Sequence, residues 1–208
     1  MESDQIIFEF IQRHTIAVDR CLPIDDSKQA MRSLDRLLRA GRISEWHHDS
    51  GLRYWTAFGH KPLSDSSLAR SYGILTFCDA ADSRSVVTRK ELETYFPKMF
   101  RHGLPAGHYI EATPQSTRLG NVRVDAGQSK INRIVARTQR SIQKYEQQAG
   151  FRELIHQGNF EITLIVPTHP KQRRLADALH SFAASGIHLK VIAIPELLNI
   201  VSRIPQAN

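Results

Sequence analysis

Five cations share one face of a segment near the middle of the chain, and their spacing suits contact with a phosphate backbone. The segment 128–147 has helical periodicity, and the cations follow one another at intervals of three, four, three and four residues. On a helix they fall within about 80° of arc, with Glu146 as the one acidic neighbour. They are Lys130, Arg133, Arg137, Arg140 and Lys144. Such a row predicts contacts with successive phosphates; the alternative is an ordinary solvated surface.

A second cationic face lies within residues 27–39, opposite an apolar one. On a helix, Met31, Leu34 and Leu37 occupy one side, and four cations fall within roughly 80° on the other. Gly41 would end this helix, and the alternating residues that follow predict a hairpin. The cationic side carries Lys28, Arg32, Arg36 and Arg39, with Gln29 next to them. This layout is typical of a winged helix-turn-helix.

In a winged helix-turn-helix the third helix enters the major groove of DNA, and the hairpin contacts the backbone or the minor groove. Arginine prefers guanine edges or phosphates, and glutamine pairs with adenine. The hairpin would add Arg53 and the histidines of its turn, His48 among them. The alternative is a winged helix that binds another protein and whose cations are merely solvated.

Glu111 and Asp125 are the candidates for a metal site. They lie on two predicted strands, at 107–113 and 118–125, and are followed by a helix and another strand. This order is that of the nuclease-like α/β core, in which carboxylates and a lysine on the hairpin hold Mg²⁺. A Mg²⁺-dependent nuclease is therefore one alternative function.

The expected acid-x-lysine sequence is missing from the second of these strands. Its end reads Arg123, Val124 and Asp125, and Gly127 stands where a lysine after Asp125 would fall. Lys130 would have to reach back from the helix. We therefore predict a degenerate core without catalytic residues, metal or cofactor; a different α/β fold is the remaining alternative.

The histidine pairs favour no metal chemistry. His47 and His48 are consecutive at the hairpin turn, and tetrahedral zinc would need two further ligands. His102 and His108 bracket a glycine-containing stretch, which predicts a loop with surface histidines.

Overall charge favours a polyanionic partner, and its distribution is uneven. The chain has a net charge of +7, to which residues 1–60 contribute −1, residues 61–128 contribute +2 and residues 129–208 contribute +6. No apolar run reaches membrane-spanning length, and the N-terminus is acidic, unlike a signal peptide. Cys21 and Cys78 lie in apolar contexts, which predicts reduced thiols in a cytoplasmic protein.

The first 60 residues predict three helices and a hairpin. The helices are expected at 3–14, 15–22 and 27–39, and the strands at 43–47 and 52–58. The polar stretch 59–67 is the best domain boundary. Residues 1–60 would then be the winged helix and residues 61–208 the α/β part.

The second part mixes helices with buried strands. Helices are expected at about 65–78, where a strand over 73–78 is an alternative, and at 88–96, 128–147, 151–157, 171–185 and 195–204. Continuous apolar strands at 160–166 and 187–194, separated by a helix, indicate a parallel βαβ unit. The fold class is therefore α/β (mixed).

The layout resembles the replication-relaxation family of bacterial plasmids and integrative elements. The resemblance depends on SKQAMRSLDRLLRAGRI at 27–43, the hairpin, and VRVDAG at 122–127 leading into INRIVAR and Lys144-Tyr145. Where that family usually has an acidic residue this chain has Arg123, so Asp125 is the one acidic residue of this motif that matches the family. The resemblance implies a DNA-binding accessory or regulator on a mobile element.

Together these features predict a sequence-specific protein that binds double-stranded DNA in transcriptional or replicative control. A homodimer is expected from the usual symmetry of helix-turn-helix proteins. The alternatives are the nuclease and a winged-helix adaptor that binds proteins.

Overall fold

The structure is a computed structural model that describes residues 2–100, 106–127, 129–180 and 186–201. It is a mixed α/β protein, as predicted. The described residues up to 60 form two α-helices and an antiparallel hairpin. These elements are α1 (Glu2–His14), α2 (Ser27–Arg39), β1 (Ile43–His47) and β2 (Arg53–Ala57).

The helix predicted at 15–22 is wrong. Thr15 has a φ of +72°, which ends α1, and Val18 is extended, with φ −133° and ψ 154°. Between them Ala17 exchanges two backbone hydrogen bonds of 3.0 Å with Trp55 of β2. A 3-10 turn of three residues, Asp19–Cys21, follows. The bonds to β2 satisfy Ala17 without a helix, and the β-branched neighbours favour the extended form.

The rest of the chain builds a five-stranded sheet with helices on both faces. The helices are α3 (Asp65–Asp79), α4 (Arg89–Tyr95), α5 (Ile131–Glu146), α6 (Ala149–His156), α7 (His169–His180) and α8 (Leu197–Val201). The strands are β3 (Arg84–Val87), β4 (His108–Ala112), β5 (Thr117–Val124), β6 (Phe160–Val166) and β7 (His188–Ala193). They lie in chain order across the sheet. Pairings β3–β4 and β4–β5 are antiparallel, and β5–β6 and β6–β7 are parallel.

Two predictions for this part need correction. Strand β3 was not expected, because its four residues are too short for a clear pattern. His108 was expected on a surface loop, but it lies in β4 with 3% of its surface exposed. The helix over 65–78 is correct and the alternative strand is wrong. Residues 102, 128, 181–185 and 202–204, on which other predictions fall, lie outside the described residues.

Side chains alternate between the two faces of the sheet. On β5, Leu119 points toward the layer that contains α5, α6 and α7, and Val122 points toward α3 and α8. Every residue of β6 is buried, as expected for a parallel strand covered on both sides. The cation-bearing helix α5 is therefore held on one face through its buried stripe.

The N-terminal elements share a core with the sheet. Ile16, Cys21 and Tyr54 belong to the same buried cluster as Leu68 and Tyr72 of α3. The predicted boundary near residue 60 thus separates the elements in sequence, while their packing is continuous. In the described part of the chain, no helix is long and apolar enough to cross a membrane.

Candidate nucleic-acid interface

Helix α5 is fixed to the sheet by one stripe of side chains. Ile134, Thr138, Ile142 and Tyr145 are buried. Their spacing of three to four residues keeps them on one side of the helix. The hydroxyl of Thr138 donates to the carbonyl of Ile134 at 2.9 Å, so this buried polar group is satisfied within the helix. The opposite side of α5 therefore faces solvent.

The five cations of the segment lie on the exposed surface of α5. Lys130, Arg133, Arg137, Arg140 and Lys144 are all exposed. Among the described residues none of the five forms an ion pair. At about 1.5 Å per residue, the row extends over roughly 21 Å. We call these five residues the α5 row.

The carboxyl ends of β5 and β6 lie beside the first turns of this helix. There Lys171 of α7 donates to Asp125 at 2.6 Å and to the carbonyl of Ser129 at 2.8 Å. A cavity of about 130 Å³ next to this pair is lined by Arg123, Asp125 and Arg137, among others. Arg123 in turn donates to Asn121 at 3.1 Å and to the hydroxyl of Ser141 on α5. The contacts of Lys171 fix the start of α5, and Arg123 fixes the second half of the helix to β5 through Ser141.

Two cations near this edge were missed from the sequence. Arg173 and Arg174 are exposed on the first turns of α7, which packs beside α5. They do not form a row at helical spacing, so the periodicity that identified the α5 row could not identify them. Their position follows from the parallel βαβ crossover, which places the N-termini of α5 and α7 at one edge of the sheet.

Helix α2 begins and packs as predicted. The carboxylate of Asp26 caps it by accepting from the backbone N–H groups of Lys28 and Gln29 at 2.9 and 3.2 Å. Its buried side includes Leu34 and Leu37, packed against α1. After α2, Gly41 has a φ of +62°, the left-handed conformation that glycine adopts easily.

Part of the polar side of α2 is bonded to α1. Arg36 makes three hydrogen bonds to the carboxylate of Asp4, of 2.6, 2.9 and 3.2 Å, and the side chain of Gln29 donates to Ser3 at 2.6 Å. The bonds from Arg36 lower the pKa of Asp4 to about 2. Arg36 therefore holds two helices together, a role that its position on the helix does not reveal.

The other predicted cations of α2 remain exposed. Lys28, Arg32 and Arg39 lie on the surface, and none forms an ion pair within the described residues. Asp35 is exposed on the same side of the helix, between Arg32 and Arg39. The local field of this face is thus weaker than the four cations alone suggest.

The hairpin residues are engaged inside the protein. Arg53 lies 3.4 Å from Asp19, and its guanidinium stacks on the ring of Trp55 at 4.5 Å. His48 has 13% of its side chain exposed and contacts Asp65 at the start of α3 at 3.4 Å. Both side chains stabilise the junction with neighbouring elements, while His47, with 70% of its side chain exposed, reaches solvent.

The two candidate metal ligands do not meet. Glu111 pairs in register with Arg118, seven residues before Asp125, so roughly 20 Å of strand separates the two carboxylates. Glu111 is bound to Arg84 at 2.9 Å, and Asp125 to Lys171. No group of three or more potential metal ligands occurs among the described residues. A site built from Glu111 and Asp125 is therefore wrong on geometry.

A buried polar cluster on the α3 side of the sheet was not predicted. The hydroxyl of Tyr109 donates to Glu161 and lies 2.9 Å from Thr163 of the same strand. Burial, together with the bond to Glu161, raises the pKa of Tyr109. Gly120 makes this possible, because a Cβ there would lie 2.1 Å from the tyrosine ring. The cluster ties β4 to β6 across β5 and is closed to solvent.

Comparison with known proteins identifies no relative of this chain: no protein-family model, curated protein or solved structure matches it. The resemblance to the replication-relaxation family therefore stays a prediction. What this protein does has to be inferred from its own residues.

Proposed function

We propose that this chain is a cytoplasmic protein that binds double-stranded DNA and acts in transcriptional or replicative control, on a plasmid or integrative element as the sequence resemblance implies. The observation that carries the proposal is the α5 row. It combines five exposed cations with the absence, among described residues, of any ion pair that would neutralise them.

The geometry of the row suits a phosphate backbone. Each DNA strand carries a phosphate about every 3.4 Å along the helix axis, and cations three to four residues apart on a protein helix are about 5–6 Å apart, so the row can face several phosphates. Since α5 is anchored by its buried stripe, the row is presented as a rigid surface. Each phosphate neutralised by a lysine or arginine releases counterions, which makes binding depend on salt.

Helix α2 would supply the sequence preference. Arg32 is exposed and unpaired among the described residues, in the middle of the helix that the winged-helix arrangement places in the major groove. Lys28 and Arg39 flank it at the two ends of α2. Four residues contribute less to DNA binding in this proposal than the sequence predicted, because each already has partners inside the protein. They are Arg36, Gln29, Arg53 and His48.

The proposal includes a homodimer. Helix-turn-helix proteins commonly bind two-fold symmetric sites as dimers, and each half-site then receives one α2. Light scattering of the free protein and of its DNA complex would test this. A single copy of the chain on a symmetric duplex would contradict the dimer without contradicting DNA binding.

Fluorescence anisotropy with a duplex of random sequence tests the central proposal. We expect binding that weakens linearly in logarithmic salt, and an Arg137→Ala variant whose slope is smaller by about one. Arg152→Ala is the matched control, since Arg152 is an exposed arginine on α6, outside the row. If no duplex binds at low salt, the proposal fails, and a protein-binding adaptor becomes the better interpretation.

The nuclease alternative can be tested with the same preparation. Because Glu111 and Asp125 are far apart and each is paired with a cation, we expect supercoiled plasmid to remain intact in the presence of Mg²⁺. Mg²⁺-dependent cleavage that Asp125→Ala abolishes would show that the chain is an enzyme.

A further inference from the structure

A cleft of about 610 Å³ lies where the N-terminal elements meet the sheet. Its walls come from the end of α1, from α3, from β3 and from the start of α4. Its volume is within the range of small-molecule sites, which often lie between two structural units. The α5 row and the exposed cations of α2 are not among its described lining residues.

The lining combines an apolar floor with cationic and hydroxyl groups. Ile74, Leu92 and Phe100 supply apolar surface, and Arg70 and Ser71 of α3 supply polar groups. Of the described residues that line the cleft, none is an aspartate or glutamate. The lining therefore favours an anion and disfavours a cation.

Arg70 is the residue best placed to bind such an anion. One of its terminal nitrogens donates to the carbonyl of Ala106 at 3.1 Å, which fixes the side chain at the rim. The guanidinium has further N–H donors, and among the described residues no carboxylate pairs with it. By contrast, Arg13 of α1, which also lines the cleft, is bound to Glu91 at 2.6 Å.

His14 adds a second observation that points to a ligand. It lines the cleft, and its Nδ1 is buried and has no hydrogen-bond partner among the residues that the structure describes. Burial lowers the pKa of His14 to about 4, so the ring is neutral at physiological pH. Thr15 follows at a φ of +72°, a strained conformation for a β-branched residue. Unsatisfied polar atoms and backbone strain both concentrate at ligand sites.

We propose that this cleft binds a small organic anion of up to mononucleotide size, with its phosphate or carboxylate at Arg70 and its apolar body on Ile74, Leu92 and Phe100. This site goes beyond the proposed function. Its test contains no DNA, so failure here leaves DNA binding untouched.

Isothermal titration calorimetry at physiological ionic strength tests the site with three probes: AMP, UMP and salicylate. We expect at least one probe to bind. Arg70→Gln should raise the Kd of that probe about tenfold or more, because a charge-assisted hydrogen bond is lost. Ser71→Leu, which fills the cleft and keeps the charge, should weaken binding as strongly.

Arg137→Gln is the matched control, because it removes one positive charge from the α5 row and leaves the cleft unchanged. Melting temperatures would show that all variants are folded. Binding of the nucleotides alone identifies a phosphorylated ligand, and binding of salicylate alone a carboxylate. The proposal is overturned if no probe binds, if Arg70→Gln and Ser71→Leu leave the Kd unchanged, or if Arg137→Gln weakens binding equally.

Discussion

Helices α2 and α5 carry similar rows of cations, but the structure gives the two rows different surroundings. On α2, Arg36 is bound to Asp4 of α1, and Asp35 lies among the other cations. On α5, none of the five cations has an ion-pair partner within the described residues, and Glu146 stands alone at the helix end. The two surfaces therefore differ in available charge more than their sequences suggest.

This difference has a physical cause. A helix on the surface of a small unit is in reach of side chains from its neighbours, and α1 packs directly along α2. Helix α5 covers a sheet and packs beside α6 and α7, but among the described residues no carboxylate of these neighbours pairs with its cations. Charge that remains unpaired is available for long-range attraction, while charge paired at the surface is neutralised locally and adds little stability. We therefore expect α5 to dominate affinity and α2 to contribute selectivity.

The largest effect is expected from removing the middle of the α5 row. A variant with Arg133→Ala, Arg137→Ala and Arg140→Ala should bind any duplex roughly 100-fold more weakly, about 3 kcal/mol. Its salt slope should fall by about three. Anisotropy across a salt series measures both quantities. A loss confined to one DNA sequence would contradict the role of α5 as a backbone contact.

A smaller and more selective effect is expected on α2. Arg32→Ala should cost about 1–3 kcal/mol on duplexes selected from a random pool and little on unselected DNA. The measurement is the ratio of the two affinities, compared between this variant and Arg137→Ala. If Arg32→Ala and Arg137→Ala lower that ratio equally, α2 does not contribute selectivity separately from the affinity contributed by α5.

His14, the last residue of α1, makes the stability of the N-terminal elements depend on pH. Its pKa is about 4 when folded against about 6.5 when unfolded, so the unfolded chain binds a proton first as the pH falls. The stability contributed by neutral His14 is fully present above the unfolded pKa. The free energy of unfolding should therefore fall by about 2 kcal/mol between pH 7 and pH 5. Urea unfolding at the two pH values measures this loss.

His14→Phe should flatten that pH dependence, because it keeps a ring next to Phe10 and cannot be protonated. The ring of His14 lies 4.4 Å from that of Phe10. An unchanged pH dependence in the variant would show that other groups cause the acid sensitivity.

The smallest effect is expected when Arg36, which pairs with Asp4, is compared with Arg39, which forms no ion pair within the described residues. Arg36→Ala should lower the melting temperature slightly, because it removes the bonds to Asp4, and Arg39→Ala should leave it unchanged. Differential scanning calorimetry at neutral pH compares the two. Equal melting temperatures would mean that the Arg36–Asp4 pair contributes nothing measurable.

Much of the fold follows from local patterns. Helices α2 and α5 and strand β6 were predicted within a few residues, because each buries a stripe or a continuous run that periodicity makes visible. Strand β3 could not be predicted, since its four residues form a strand through pairing with β4. The extended path at Ala17 depends in the same way on Trp55.

The candidate nucleic-acid interface also combines features that are local in the sequence with features that depend on tertiary packing. The spacing of the α5 row is a property of the sequence alone, because a helix converts intervals of three and four residues into one face. Whether a given cation is free depends on residues far away in the chain: Asp4 is 32 residues from Arg36, and Lys171 is 46 residues from Asp125.

The sequence by itself determined the mixed α/β class, most elements and the positions of the two cationic faces. Tertiary packing decided which charges are paired, kept Glu111 and Asp125 apart, and created the cleft beside Arg70. Periodicity is a local property that residues a few positions apart express together. Pairing and enclosure depend on which distant elements meet, and only the packed core sets that.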